Sequence, residues 1–273
     1  MTYQEKIKES LSNYKTTNFP KLKNGKWKNN KKCYSHILPE ENKFDNLLHP
    51  YNEDCFKYLR KEQIKLHSGF HHLNSSQAMC LNFFFPLFCE KKLELITELL
   101  GFKNETINYE TVCFEKNGKD GGSGRRATNF DFYFETKSGK KIYFEIKYTE
   151  SEFGKAKNDK EHIEKFNNVY SNFTKPLNDN FITSKPFFDN YQILRNLIHI
   201  DDNSFVVFVY PKDNKGISKG VHKVKTEFLT AKFQNHFFAE TWEKLFESIY
   251  SKASNEKLKK QLTSFKEKYL PIF

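Results

Sequence analysis

The sequence predicts a mixed α/β fold, and three observations carry that prediction. Segments 106–115, 129–135 and 141–149 are consecutive runs rich in β-branched and aromatic residues, as strands require. A fourth run, SFVVFVY over 204–210, reads as a buried strand closed by Pro211. Helical patterning precedes the first three strands and brackets the fourth, so helices and strands share one layered core. With 273 residues the chain can bury a substantial core, and 29 Phe and 14 Tyr make that core phenylalanine-rich.

Taken in order, residues 1–72 are polar, rich in Lys and Asn, and punctuated by Pro20, Pro39 and Pro50, which predicts helices and loops wrapped on a core. Ser75 and Ser76 ahead of an apolar run offer a helix N-cap; Pro86 should kink or split that helix, and Gly101 suits its end. After the three strands, 159–170 and 187–200 read as helical. The tail from about 226 to 270 reads as two amphipathic helices, and 211–225 as a basic loop. The expected organisation is an N-terminal helical extension (1–75), a core (76–212) and a C-terminal helical extension (213–273).

The hairpin 129–149 concentrates the chemistry. Strand side chains alternate between faces, which puts Phe130, Phe132 and Phe134 on one face and Asp131, Tyr133 and Glu135 on the other. In the next strand Ile142, Phe144, Ile146 and Tyr148 oppose Tyr143, Glu145 and Lys147. The two apolar faces must coincide, and this sets the parity of the register. A three-residue loop, Lys137-Ser138-Gly139, places glycine where a type I turn with a G1 bulge needs positive φ. Thr136 then faces Lys140 and Asp131 faces Glu145, whereas a two-residue loop would oppose Asp131 to Ile146. Carboxylates directly opposite are roughly 5 Å apart at Cβ and repel. A hard divalent cation reverses the sign, with the Ile146 carbonyl as a further oxygen. Lys147 lies on the diagonal, able to orient a water and balance anionic charge.

The net charge of +11 fits a polyanionic partner, although only four of the 45 basic residues are Arg, so lysine-rich composition alone accounts for part of it. Five scattered cysteines without a CxxC argue for a reducing, cytoplasmic setting rather than a disulfide framework. The N-terminus has no apolar signal region and no run approaches a membrane span. No GxxxxGK[ST] motif supports ATP chemistry.

The string N-F-D131-F-Y-F…K-I-Y-F-E145-I-K147 resembles the D-Xn-(D/E)XK signature of the restriction-endonuclease-like, PD-(D/E)XK nuclease superfamily. The order of elements over roughly 76–212 also matches that superfamily's αβββαβ core. The strings N74-S-S-Q-A-M-C, F-E-I-K-Y-T-E-x-E-F-G154 and F187-F-D-N-Y-Q192-I-L-R195-N are similar to a little-characterised bacterial family within it. The resemblance implies that Asp131 and Glu145 bind Mg²⁺, with Mn²⁺ as substitute, and that Lys147 serves the attacking water in phosphodiester hydrolysis. It adds a glutamate from the first helix, Glu90 or Glu94 behind it, and a glutamine matched by Gln192. Phe130 stands where the motif's name has proline. The implied substrate is nucleic acid, DNA before RNA, in restriction or anti-phage defence by analogy. Cutting both strands would favour a homodimer. The rival reading is a non-catalytic nucleic-acid-binding protein on the same scaffold.

Outside the hairpin, Gly118–Arg126 leads into the Asp131 strand; Arg125 and Arg126 would contact phosphate, or the segment is a solvated turn. Arg195 and Asn196 lie off the apolar stripe of 191–200 and would face site or substrate. KLKNGKWKNNKK, residues 21–32, sets six lysines, Lys21 and Lys23 among them, around Trp27. It reads equally as a backbone-tracking patch with a stacking aromatic or as a solvated segment. Cys33, His36, His49 and Cys55 have irregular spacing for zinc. His67, His71 and His72 are phosphate contacts or packed histidines.

Overall fold

The computed structural model describes residues 1–121 and 127–271, so Arg125 and Arg126 lie outside the described residues. The chain divides into two compact units, one of residues 1–105 with 241–273 and one of 106–240.

The first unit is helical. It holds α1 (Tyr3–Asn18), the two-residue strands β1 (Gly25–Lys26) and β2 (Cys33–Tyr34), α2 (Asn52–Lys61), α3 (Ser76–Cys89) and α4 (Glu94–Leu99), with the later α9 (Trp242–Tyr250) and α10 (Glu256–Tyr269). Thr2 and Glu5 form a capping box on α1, and the Ser75 hydroxyl accepts from the Ala78 amide to start α3. Pro86 sits inside α3 without ending it; the break comes at Glu90–Leu93, with Lys91 at a φ of 52°. Packing explains the tolerance, since every residue from Gln77 to Leu87 is buried. Trp242 is fully buried against Phe83, Phe84 and Phe265, which ties α9 and α10 to α3.

The second unit is built on a mixed sheet in the order β3-β4-β5-β6-β7. Its strands are β3 (Ile107–Asn117), β4 (Asn129–Thr136), β5 (Lys141–Ile146), β6 (Ser204–Tyr210) and β7 (Phe237–Thr241). β3, β4 and β5 form an antiparallel meander. β6 then pairs parallel to β5, after a crossover through α5 (Lys160–Asn168), α6 (Ser184–Asp189) and α7 (Tyr191–Leu197). This is the mixed α/β architecture of a restriction-endonuclease-like core. The expected helix over 187–200 is two helices that meet at Asn190, and the expected basic loop over 211–225 contains α8 (Lys215–Lys223). Asn214 caps α8 through the Ile217 amide, a signal overlooked among the surrounding lysines. The tail carries β7 ahead of its two helices.

One sheet face bears a ring cluster of Phe114, Phe132, Phe134 and Phe144. The other packs Tyr133, Tyr143, Val206 and Phe208 against residues of α5 to α8. Phe130 corrects the expected alternation, for it joins this second cluster, 4.8 Å from the Tyr143 ring and 5.0 Å from His199. The β4–β5 pairing extends from Glu135–Lys141 to Phe132–Phe144; Phe130 lies past it, where the ladder to β5 no longer dictates facing.

Candidate functional site

The β4–β5 hairpin closes as its loop chemistry demands. The Thr136 amide donates to the Lys140 carbonyl and Gly139 adopts a φ of 89°, which only glycine takes without strain. The β4–β5 ladder runs from Glu135–Lys141 to Phe132–Phe144, and Asp131 and Glu145 are the next residues beyond its last pair. Beyond Phe132 the Ile146 amide donates to Asp131 Oδ2 at 2.7 Å. The carboxylate thus stands at a fork between the two strands. On the other side, the Lys147 amide donates to the Val209 carbonyl. The Ile146 carbonyl and the Lys147 amide belong to one trans peptide and point opposite ways. The Ile146 carbonyl is therefore turned towards β4, the side on which Asp131 lies.

Two side chains converge on Glu145. Lys147 Nζ is 2.7 Å from Glu145 Oε1, and Gln192 Nε2 donates to the same oxygen at 3.1 Å. Gln192 is itself held, its Oε1 accepting from the Gly154 backbone amide and its backbone amide donating to the Gly154 carbonyl. Two of the strings noted in the sequence, one ending at Gly154 and one containing Gln192, therefore meet in space. Glu145 and Lys147 are 6% and 4% exposed, and the lysine ammonium lies over the Phe153 ring.

Burial dominates the electrostatics. It pushes the Asp131 carboxyl well above its usual range, and the charges of Glu145 and Glu115 add to the push. Burial opposes charge on Lys147, but Glu145, Glu150 and Asp131 outweigh it and hold the ammonium above its ordinary value. A carboxyl with raised proton affinity beside a second carboxylate is a site that a cation would relax. Among the described residues no three His, Cys, Asp or Glu side chains are grouped closely enough to hold an ion by themselves. Two carboxylates and a carbonyl suit Mg²⁺, which fills its remaining positions with water and substrate oxygens.

Glu115 was missed by the sequence reading. The pairs Phe114–Phe132 and Lys116–Phe130 set it across from Asp131, and its φ of 57° is rare for a non-glycine residue. The register slips between Asn108 and Cys113, so no alternation rule could have placed it. Asn214 was missed too: its Nδ2 donates to the carbonyls of Tyr148 and Glu150 and anchors the segment after Lys147. Gly216 permits this approach, since a Cβ there would stand 1.8 Å from the Ser151 carbonyl oxygen.

Glu90, at the C-terminus of α3 in the first unit, accepts from the Tyr51 hydroxyl and from Asn255 Nδ2; Glu94 opens α4. Arg195 stands one turn from Gln192, with Nε 3.7 Å from Asp120. Asp120 also meets His199 at 3.2 Å and takes the Thr128 amide and hydroxyl. Burial would raise its carboxyl, but these partners prevail and lower it to about 2. Lys21, Lys23 and Trp27 are exposed on the first unit. Cys33 is exposed while Cys55 is buried, and all five cysteines are free. Among the described residues no helix is long and apolar enough to cross a membrane.

Searches of curated proteins and of solved structures found no match. Over residues 8–270, however, the chain matches the family model REase-ARP, described as Restriction Endonuclease associating with ARP. The strand fork with its acids, lysine and glutamine therefore belongs to a member of that restriction-endonuclease family.

Proposed function

We propose that the chain is a Mg²⁺-dependent endonuclease of the PD-(D/E)XK type that hydrolyses phosphodiester bonds of DNA. One observation carries the reading: Lys147 and Gln192 converge on Glu145 while Asp131 stands across the hairpin at the strand fork. Asp131, Glu145 and the Ile146 carbonyl would hold the cation, with Mn²⁺ as substitute. Bound there, the ion would polarise a phosphoryl oxygen and ease deprotonation of a water.

The chain's own groups do the rest. Lys147 supplies a fixed ammonium for the charge that grows on the phosphoryl oxygens, and its burial makes that charge count for more than it would in water. Gln192 restrains Glu145 through its link to Gly154, so the carboxylate does not need to reorganise. Glu115 adds negative potential on the Asp131 side, which favours a cation.

The test is incubation with plasmid, single-stranded DNA and RNA in Mg²⁺, Mn²⁺ or EDTA. DNA cleavage that EDTA stops is expected, and Asp131→Ala, Glu145→Ala and Lys147→Ala should each abolish it. Retained cutting by all three ends the reading. An independent check is thermal stabilisation by the metal alone, about 2.7 kcal/mol at a concentration 100 times Kd. That stabilisation should be absent in Asp131→Ala.

A further inference from the structure

In the helical unit, the short hairpin of β1 and β2 carries a tryptophan in water. Trp27 is 39% exposed, whereas Trp242 is fully buried. The indole sits on a turn closed by backbone and side-chain hydrogen bonds. The Trp27 amide donates to the Lys32 carbonyl, and the Lys31 amide donates to the Trp27 carbonyl. Asn30 spans the turn, accepting from the Lys32 amide and donating to the Tyr34 hydroxyl at 2.7 Å. Tyr34 and His72 meet the indole at 69° and 87°, so neither lies flat on it. Behind them, Tyr34 packs on His36 and His71 on His72. Burial lowers the protonation of His36 and His72 to about 4, so these rings are neutral near pH 7.

Positive charge is concentrated in the same segment of chain. Lys21, Lys23, Lys26, Lys28, Lys31 and Lys32 are all exposed. Among the described residues only Lys28 of this set has an acidic partner, Glu40. Buried Lys15 anchors the approach, donating to the Lys23 carbonyl and Asn24 Oδ1. An exposed indole on a lysine-rich hairpin is complementary to a ligand with its own flat face and regularly spaced anions. Single-stranded nucleic acid has both. A duplex keeps its base faces stacked on one another and would offer only phosphates.

We propose that the Gly25–Tyr34 hairpin is a single-strand platform, on which an unpaired base stacks against Trp27 while Lys26, Lys31 and Lys32 hold the flanking phosphates. This rests on the nucleic-acid reading above and adds which form of nucleic acid the helical unit grips. The test is binding of the full chain in EDTA, without catalysis. Single-stranded DNA of about 15 nucleotides, its duplex, and heparin as a polyanion without bases are titrated against tryptophan fluorescence. The single strand should quench, and the duplex and heparin should not. Trp27→Ala should weaken single-strand binding roughly 5- to 150-fold, while Trp27→Phe keeps most of it. Each of Lys31→Ala and Lys32→Ala should reduce the salt slope by about 0.7. Unchanged binding by Trp27→Ala with an unchanged thermal melt overturns the proposal, as does equal quenching by duplex or heparin. Quenching without any cleavage activity would leave the platform standing and remove the nuclease reading; the reverse pattern would do the opposite.

Discussion

Two buried lysines, one in each unit, meet opposite fates. Lys147 is 4% exposed and Lys268 on α10 is 1% exposed, so each gives up nearly all its hydration. Lys147 faces Glu145, with Glu150 and Asp131 nearby, and its ammonium is held above the ordinary range despite burial. Lys268 donates to the backbone carbonyl and the side-chain oxygen of Asn46. Those acceptors are neutral, and burial drives its ammonium well below the ordinary range. Burial expels charge from both; only carboxylates restore it. A buried lysine is therefore no mark of a site until its partners are known, and the partners assign Lys147 to chemistry and Lys268 to packing.

The largest expected effect is on activity. Lys147→Met should lower the DNA cleavage rate by about 10²- to 10³-fold, the scale for removing a charge-stabilising donor. Lys268→Met should leave cleavage within a few-fold of wild type. Equal losses in the two variants would erase the distinction.

The second effect is the pH dependence of stability. With the folded pKa of Lys268 depressed, the unfolded chain binds more protons. Stability should therefore rise with pH from the folded pKa towards the unfolded value of about 10.4, by up to about 1.4 kcal/mol per pH unit. Lys147 has the opposite sign: its contribution is fully present below about 10.4 and is lost only as pH climbs through its raised folded value. Urea unfolding followed as pH rises towards about 10.4 should thus show a rising contribution that Lys268→Met removes and Lys147→Met leaves alone. The smallest effect concerns Gln192. Gln192→Ala should slow cleavage about 10-fold, the scale of one hydrogen bond to a charged group, without altering that contribution. A loss as large as that of Lys147→Met would show that restraint of Glu145 matters as much as the ammonium.

The hairpin was legible before folding because its determinants are local. Gly139 selects the loop, and the alternation of Phe132, Phe134, Ile142 and Phe144 selects parity. Together they set the register from Glu135–Lys141 to Phe132–Phe144, just short of Asp131 and Glu145, with no knowledge of the rest of the chain. Glu115 was not legible, since its position depends on a slip in β3 that alternation cannot reveal. Nor was α8, whose Gly216 and Gly220 lower helix propensity but allow contact with Ser151 and Phe153. The single helix expected over 187–200 failed at Asn190, whose backbone is not helical.

By itself, then, the sequence determined the strand runs, the turn and the hairpin register, because each follows from side-chain period and backbone preference over a few residues. Tertiary structure decided what those groups experience. Helices from 160–223 cover the sheet face that bears Tyr133 and Tyr143, and Gln192 arrives from 47 residues away to hold Glu145. Protonation, restraint and the contrast between Lys147 and Lys268 depend on contacts distant in sequence, and no local period encodes them.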